Sequence, residues 1–174
     1  LLLHRPDTLL QADEIAEAFR SLQESGKVLH FGVSNFSTTQ VALLHSRFPI
    51  RANQVEASVL RLEPFLDGTL DQCQLLNLKT MAWSPLGGGS LFAETEDERI
   101  RRVLAMAEIL GREYAASPEQ ILLSWLLKHP AGIHPVLGTT RQERIGSASK
   151  AAGIQLSREE WFMLWRASTG TEVP

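Results

Sequence analysis

The 174-residue sequence predicts an α/β fold in which five parallel strands alternate with helices. Short apolar runs are each followed by a longer segment whose apolar residues recur with helical spacing. This order is typical of a parallel sheet with right-handed crossovers. We place the strands near residues 1–4, 30–33, 52–57, 80–84 and 133–138.

The residues that follow the strands decide between two architectures. An open doubly wound sheet normally has a glycine-rich turn after its first strand, but that turn here reads "HRPDTLL" and contains no glycine. In a (β/α)8 barrel the chemistry comes instead from several strand ends. The polar strand ends in this sequence are His4 and Arg5, Ser34 and Asn35, Asn53 and Gln54, Trp83 and Ser84, and Gly138 to Thr140.

The strand ends therefore favour the barrel, and five strands make it incomplete. We predict the C-terminal five β/α units of a (β/α)8 TIM barrel, with the N-terminal strands and helices absent from the chain. Since no linker, repeat or low-complexity tract interrupts the pattern, residues 1–174 are expected to form a single partial barrel domain. The start "LLLHRPD" has no initiating Met and looks like the inside of a buried strand, so we expect the chain to be the back part of a longer one.

The first helices are predicted from apolar spacing. In "ADEIAEAFRSLQESGKV", Ile15, Phe19 and Leu22 share one face, and Gly26 stands where a helix C-cap belongs. Helical segments of the same kind are "DGTLDQCQLLNL", "EDERIRRVLAMAEILGREY" and "RQERIGSASKAAG".

Three further helices are predicted from their first residues. "STTQVALLHSRF" is expected to begin with Ser37 or Thr38 as N-cap, because a hydroxyl can accept a bond from the free N–H groups of a first turn. "SPEQILLSWLLKHP" has Ser117 as cap and Pro118 at the first helical position. "SREEWFMLWRAS" is expected to be a final helix capped by Ser157.

Composition excludes several classes of protein. A net charge of −3 and a pI near 6.0 give no basic surface for nucleic acid or for an anionic membrane. The single cysteine, Cys73, excludes an intrachain disulfide and a Cys-based zinc cluster and fits a reducing compartment. Without a membrane-spanning run or a signal peptide, the sequence predicts a cytoplasmic protein.

The first strand ends suggest a site for a neutral polar group. His4 ends an apolar run, where its imidazole could donate a hydrogen bond to a substrate carbonyl; a structural histidine is the alternative. Ser34, Asn35 and Gln54 offer donors and acceptors suited to an amide such as that of nicotinamide, although each could also cap a local turn.

Two later segments are candidate anion sites. In "MAWSPLGGG", Trp83 offers a flat face for an aromatic ring unless it is a core residue, and Ser84 with the backbone of residues 86–88 could approach a pyrophosphate. In "GTTRQERI", residues 138–140 precede a helix whose N-terminus favours phosphate, and Arg141 and Arg144 lie on its opening turn.

The segments "LLLHRPD", "GVSNF", "NQVE", "AWSPLGGG" and "GTTRQERI", in this order and spacing, resemble the aldo-keto reductase family. The likeness covers essentially the whole chain and is closest to bacterial oxidoreductases of that family. It implies a (β/α)8 barrel, monomeric when complete, that uses NADPH to reduce aldehydes and ketones to alcohols. Small-molecule carbonyl compounds are the partners it implies; neither nucleic acid, nor a membrane, nor a bound metal is expected.

The resemblance also implies roles for single residues. Position by position, His4 matches the active-site histidine. The residues that match cofactor contacts are Ser34, Asn35 and Gln54 at the carboxamide, Trp83 on the nicotinamide, Ser84, Leu86 and Gly87 at the pyrophosphate, and Thr139 and Arg144 at the adenosine 2′-phosphate. Gly138 and Thr140 are candidate cofactor-binding residues because they belong to the same segment before the helix N-terminus. Gly138 and Ala148 depart from the family, which often has a basic residue and an asparagine at these places.

The family's proton-donating tyrosine and its Asp and Lys partners lie on strands that would precede "LLLHRPD". We therefore expect these 174 residues alone to reduce a carbonyl compound very poorly. Two alternatives to an enzyme are a non-catalytic fragment or accessory subunit that binds nicotinamide cofactor, and a half-barrel that self-associates through its open strand edges.

Overall fold

A computed structural model describes residues 1–172 of the chain. The strands in these residues are β1 (Leu2–Leu3), β2 (Gly32–Ser34), β3 (Ala52–Glu56), β4 (Lys79–Trp83) and β5 (His134–Pro135). The α-helices are α1 (Ala12–Glu24), α2 (Thr38–His45), α3 (Thr69–Leu75), α4 (Glu98–Tyr114), α5 (Pro118–Leu127), α6 (Gln142–Ser149) and α7 (Arg158–Thr169). Short 3-10 segments lie at Glu63–Phe65, Gly87–Phe92 and Lys150–Gly153.

The strands form one sheet in chain order, from β1 to β5. β1 and β2 are parallel with Leu2 opposite Gly32, and β2 and β3 are parallel with Ser34 opposite Gln54. The prediction of an α/β fold with a parallel sheet is confirmed. β5 is shorter than the predicted 133–138, and residues 136–140 run on as a loop.

The helix starts predicted from hydroxyl residues are confirmed. Ser37, Ser117 and Ser157 each accept a bond from the backbone N–H three residues later, and the Gln or Glu at that position bonds back to the serine N–H. Each pair forms a capping box, which satisfies two otherwise free donors of the first turn. Gly26 has a φ of +72° just after α1 ends, as expected of a helix C-terminus.

The chain divides into two compact units. The first consists of Leu1–Val55 and Glu63–Met81. Its core is built around three aromatic rings from α1, the residue before β2 and the segment after α2: Phe19 stacks on Phe31 at 4.1 Å, and Phe48 meets Phe31 edge-on at 5.4 Å. The prediction of one domain stays a prediction, because a division by contacts does not measure whether the units unfold together.

The cysteine of the first unit is a core residue. Cys73 lies in α3 and is 2% exposed. Burial raises the pKa of its thiol, and a hydrogen bond with Thr80 only partly offsets that effect. The thiol is thus held in its neutral form and packs as a small apolar group.

The second unit consists of Glu56–Leu62 and the chain from residue 82 onward. Its helices α5 and α7 are joined by two indoles: Trp125 Nε1 donates to the Trp161 carbonyl and Trp161 Nε1 donates to the Trp125 carbonyl, both at 3.0 Å. The two rings stack at 4.7 Å. Each indole therefore buries a large apolar surface and still satisfies its N–H.

None of the helices within residues 1–172 combines the length and the apolar character needed to cross a bilayer.

Candidate functional site

The loops after β4 and β5 line one cavity of about 550 Å³ in the second unit. Ser84, Leu86 and Gly88 come from the first loop, and Gly138 and Thr139 come from the second. The two segments are far apart in sequence. The fold therefore brings the two candidate anion sites together, as the resemblance implied.

Helix α6 supplies a positive charge to this cavity. Arg144 and Ala148, one turn apart on α6, both line it. In the part of the chain that the structure describes, no carboxylate lies within ion-pair distance of the Arg144 guanidinium, so an anion in the cavity would not have to displace a partner. Arg141 is the N-cap residue of α6 and is not among the lining residues.

The loop after β4 turns sharply at its first residue. Ser84 has a φ of +49°, in the left-handed region, and its carbonyl accepts a bond from the Gly87 N–H at 2.9 Å. The next three glycines, residues 87–89, also have positive φ. A Cβ on Gly87 would lie 2.8 Å from Ser90 Oγ and 3.1 Å from Leu60 Cδ1, so only glycine fits this turn.

Some predicted cofactor residues lie near the cavity without lining it. Gly87 permits the turn, while its neighbours Gly88 and Gly89 face the space. Thr140 is exposed on the loop before α6 and does not line the cavity. Trp83 ends β4, is half-buried and is likewise not a lining residue.

The polar residues of β2 and β3 form a bonded cluster in the first unit. The Ser34 hydroxyl donates to the Gln54 carbonyl at 3.1 Å, and the Asn35 backbone N–H donates to the same carbonyl at 2.8 Å. The Asn35 carboxamide donates to Ser34 Oγ at 3.2 Å. The Gln54 side chain is half-buried and has no hydrogen-bond partner among residues 1–172, so its amide can bind another group.

The assignment of Asn53 and Gln54 to a strand end is wrong. Both lie inside β3, which continues to Glu56. Because side chains alternate along a strand, the two amides point to opposite faces. Asn53 is 1% exposed and donates to the Phe36 carbonyl at 3.2 Å, so it holds the segment that leads into α2 and has a structural role.

His4 directly follows β1 and is exposed. Its imidazole has no hydrogen-bond partner within the residues that the structure covers. Its role in binding a substrate carbonyl stays a prediction.

The hydroxyl of Tyr114 makes a structural link between two helices. Tyr114, the single tyrosine, donates to Glu160 Oε2 at 2.7 Å and to the Gln155 carbonyl at 3.2 Å, so its phenol serves to link the end of α4 to the start of α7.

Within residues 1–172, no group of three His, Cys, Asp or Glu side chains is arranged to hold a metal ion.

Sequence reasoning missed Glu119, which lines the cavity from the first turn of α5. An acid at this position of a helix is ordinary, because it interacts favourably with the N-terminal end of the helix dipole. The local sequence contained no signal that could have distinguished it. Its place at the cavity comes from the packing of α5 beside α6.

Comparison with known proteins gives a consistent result. The chain matches the model of the "Aldo/keto reductase family" over residues 1–167. Three relatives are oxidoreductase YdhF of Escherichia coli (46% identical over 100% of this chain and 58% of the relative), oxidoreductase YcsN of Bacillus subtilis (43%, 100% and 59%) and a 6-dehydroglucose reductase of Agrobacterium fabrum (41%, 99% and 58%). The chain thus spans only 58% to 59% of their length.

Two solved structures are also similar to this chain. One is a thermostable aldo-keto reductase crystallised with the inhibitor epalrestat, with a TM-score of 0.84 and 27% identity over 95% of this chain and 58% of that one. The other is an aldo-keto reductase from Klebsiella pneumoniae in complex with NADPH, with a TM-score of 0.77 and 29% identity over 95% of this chain and 56% of that one. The resemblance drawn from the motifs is therefore confirmed, and the chain belongs to the aldo/keto reductase family.

Proposed function

We propose that the chain forms the cofactor-binding part of an NADPH-dependent oxidoreductase that reduces aldehydes or ketones to alcohols. The observation that carries this proposal is the cavity in which the loop after β4, the loop after β5 and Arg144 meet. The relatives named as oxidoreductases support the class of reaction, and the structural relative crystallised with NADPH supports the cofactor.

The lining residues fit an anionic dinucleotide. Arg144 supplies a cation suited to phosphate, and the Ser84 hydroxyl supplies a neutral donor. Thr139 Oγ1 accepts a bond from the Arg141 N–H at 3.2 Å, which leaves its own proton free to donate. The cavity volume of about 550 Å³ lies within the range of small-molecule sites.

For the first unit by itself, we propose that Gln54, Ser34 and Asn35 bind a neutral carboxamide such as that of nicotinamide. Gln54 has a free amide on a rigid strand, and Ser34 and Asn35 are fixed beside its carbonyl. A neutral amide ligand can both donate and accept, so it matches these groups better than a charged ligand would. Bound NADPH would supply the hydride that reduces the carbonyl carbon.

His4 would act on the carbonyl oxygen. Its exposed imidazole, directly after β1, can donate a hydrogen bond to that oxygen and stabilise the negative charge that develops there. Tyr114 is assigned no part in the reaction, because its hydroxyl is bonded to Glu160.

The same proposal extends to the architecture and to the substrate. In the whole protein the five β/α units would be part of a (β/α)8 barrel, whose active site lies at the carboxyl ends of the strands. One relative is named a 6-dehydroglucose reductase, so 6-dehydroglucose and simple aldehydes are the substrates to try first.

The test measures NADPH binding by calorimetry in the full-length protein, with turnover followed as NADPH oxidation. Arg144→Ala removes the cation of the cavity and is expected to weaken NADPH binding about tenfold or more, because charge-assisted hydrogen bonds contribute ~1.5–3 kcal/mol. Arg141→Ala is the matched control, since Arg141 belongs to the same helix start but does not line the cavity.

The control variant should bind NADPH within about twofold of the unsubstituted protein, as expected for an exposed charge that is screened by salt. Equal weakening in both variants would mean that the affinity depends on the overall charge of this region. Absence of NADPH binding in the unsubstituted protein would refute the proposed function.

A further inference from the structure

Glu119 lines the same cavity as Arg144 and carries the opposite charge. It is the second residue of α5 and is half-buried. The first turn of α5 is fixed beside α6, because Gln120 Nε2 donates to the Ser147 carbonyl at 2.8 Å and to Ser147 Oγ at 3.2 Å. The position of Glu119 is thus set by a direct link between the two helices.

This link joins the start of α5 to α6, the helix that contains Arg144. Arg144 and Ala148 lie one turn apart on α6 and both line the cavity. Ser147 directly precedes Ala148. Within residues 1–172 the Glu119 side chain has neither a hydrogen bond nor an ion pair, so it is not paired with Arg144. One cavity therefore presents a free anion and a free cation to its occupant.

The negative charge of Glu119 favours a cofactor with a free ribose hydroxyl, and the positive charge of Arg144 favours one with a 2′-phosphate. A carboxylate accepts hydrogen bonds and donates none, so it suits a ribose hydroxyl. A phosphate in the same place would be repelled by Glu119 and attracted by Arg144. NADH offers the hydroxyl, whereas NADPH offers the phosphate.

We propose that Glu119 sets the cofactor preference of this cavity by opposing Arg144, so that the preference for NADPH over NADH is smaller than Arg144 alone would give. This inference rests on the proposed function, since it requires that the cavity binds the adenosine end of a nicotinamide cofactor. A simpler role for Glu119 is to stabilise the start of α5 through the helix dipole, and that role would affect stability alone.

The experiment measures the dissociation constants of NADPH and NADH by calorimetry in the full-length protein and in Glu119→Gln. The substitution keeps the size of the side chain and removes its charge. We expect NADPH to bind roughly threefold to tenfold more tightly and NADH to bind no more tightly than before, as follows from removing one like charge at the edge of a partly solvated site. Thermal unfolding of the same samples records any effect on α5.

Glu143→Gln is the matched control. Glu143 is exposed in the first turn of α6 and does not line the cavity, so its substitution should leave the ratio of the two constants within about twofold. An unchanged ratio in Glu119→Gln, with NADPH binding still weakened by Arg144→Ala, would overturn this inference and leave the proposed function standing. If the unsubstituted protein binds neither cofactor, both fail.

Discussion

Asn35 and Ser84 have left-handed backbone conformations, with φ of +59° and +49°, as the chain leaves β2 and β4. Such a conformation costs a non-glycine residue of order 1–2 kcal/mol. The two other left-handed non-glycine residues within residues 1–172, Asn77 and Ala115, follow helices, where this conformation commonly closes the last turn. The strained strand ends coincide with predicted site residues.

Substitution by glycine separates strain from function at these positions. Ser84 and Ala115 share a φ of +49°, so Ser84→Gly and Ala115→Gly should each relieve strain and raise the free energy of unfolding by about 1 kcal/mol. Only Ser84 lines the cavity, and loss of its hydroxyl should weaken NADPH binding about threefold to tenfold. Urea unfolding and calorimetric titration measure the two effects.

Ala115→Gly serves as the control, because the end of α4 does not line the cavity. Unchanged NADPH binding in Ser84→Gly would show that the Ser84 hydroxyl does not contact the cofactor.

Tyr114 and Glu160 form a second local pair whose protonation is measurable. The hydrogen bond to Glu160 and, to a lesser extent, burial raise the pKa of Tyr114 from 10.0 to about 12. Burial alone would raise the pKa of Glu160, but the bonds from Ser157 and Tyr114 outweigh it and hold that pKa below its usual value.

In the 174-residue chain the phenolate absorbance reports Tyr114 alone, because this sequence has one tyrosine. We expect a titration midpoint at pH about 12 in the folded state and a return towards 10.0 in Glu160→Gln. The folded pKa exceeds the unfolded one, so the stabilisation from this pair is complete below pH 10.0 and is lost as the pH rises towards about 12. A midpoint near 10.0 before substitution would contradict the hydrogen bond to Glu160.

At the scale of elements, α4 and α7 are joined through a buried hydroxyl. Ser168 Oγ donates to the Val59 carbonyl and accepts from Arg99 Nε at 3.1 Å and from Arg99 Nη2 at 2.8 Å. Ser168 is 2% exposed. One small side chain therefore satisfies both a carbonyl and a guanidinium away from water.

Ser168→Ala should lower the free energy of unfolding by about 1–3 kcal/mol, because the Val59 carbonyl and Arg99 both lose their hydroxyl partner. Ser149→Ala is a suitable control, since Ser149 is exposed and should cost less than about 0.5 kcal/mol. Chemical denaturation of the two variants gives the comparison, and equal costs would mean that the buried network contributes little.

The helices could be predicted well because their start signals are local. Ser37, Ser117 and Ser157 are each followed three residues later by Gln or Glu, and the capping box they form involves no other part of the chain. The strand limits depended on pairing that the sequence does not show. β5 ends at Pro135, and the next residue still bonds to β4, from the Val136 N–H to the Ala82 carbonyl at 2.8 Å.

Site residues could be predicted where the residue type itself determines the backbone conformation. They were harder to predict where tertiary packing determines which side chains reach the cavity. Gly88 and Gly138 were found because glycine loops leave room for a ligand. Asn53 was wrongly assigned to a strand end because two adjacent amides do not indicate how far the strand continues; the structure shows it buried inside β3 and bonded to the Phe36 carbonyl. Glu119 was missed because its place at the cavity comes from the Gln120 bond to Ser147, which is a tertiary contact.

At the scale of the whole molecule, each compact unit contains a residue type whose signal reports the unfolding of that unit. Cys73 belongs to the first unit. The tryptophans belong to the second unit and are Trp83, Trp125, Trp161 and Trp165. Both β3 and β4 run from one unit into the other without a linker.

Because the units share these strands, we expect one cooperative unfolding transition. Tryptophan fluorescence and the reactivity of Cys73 towards a thiol reagent should change at the same urea concentration. A transition for Cys73 at clearly lower urea would show that the first unit opens by itself and would contradict the prediction of a single domain.

The glycine turn at residues 87–89 has a practical consequence for handling this protein. It leads into Phe92, which is 44% exposed and lines the cavity. A chymotrypsin-like protease, which cleaves after aromatic residues, would find an accessible bond there, because residues 88–90 just before it are exposed as well. An occupant of the cavity would cover that bond, so the rate of limited proteolysis would report whether the cavity is filled.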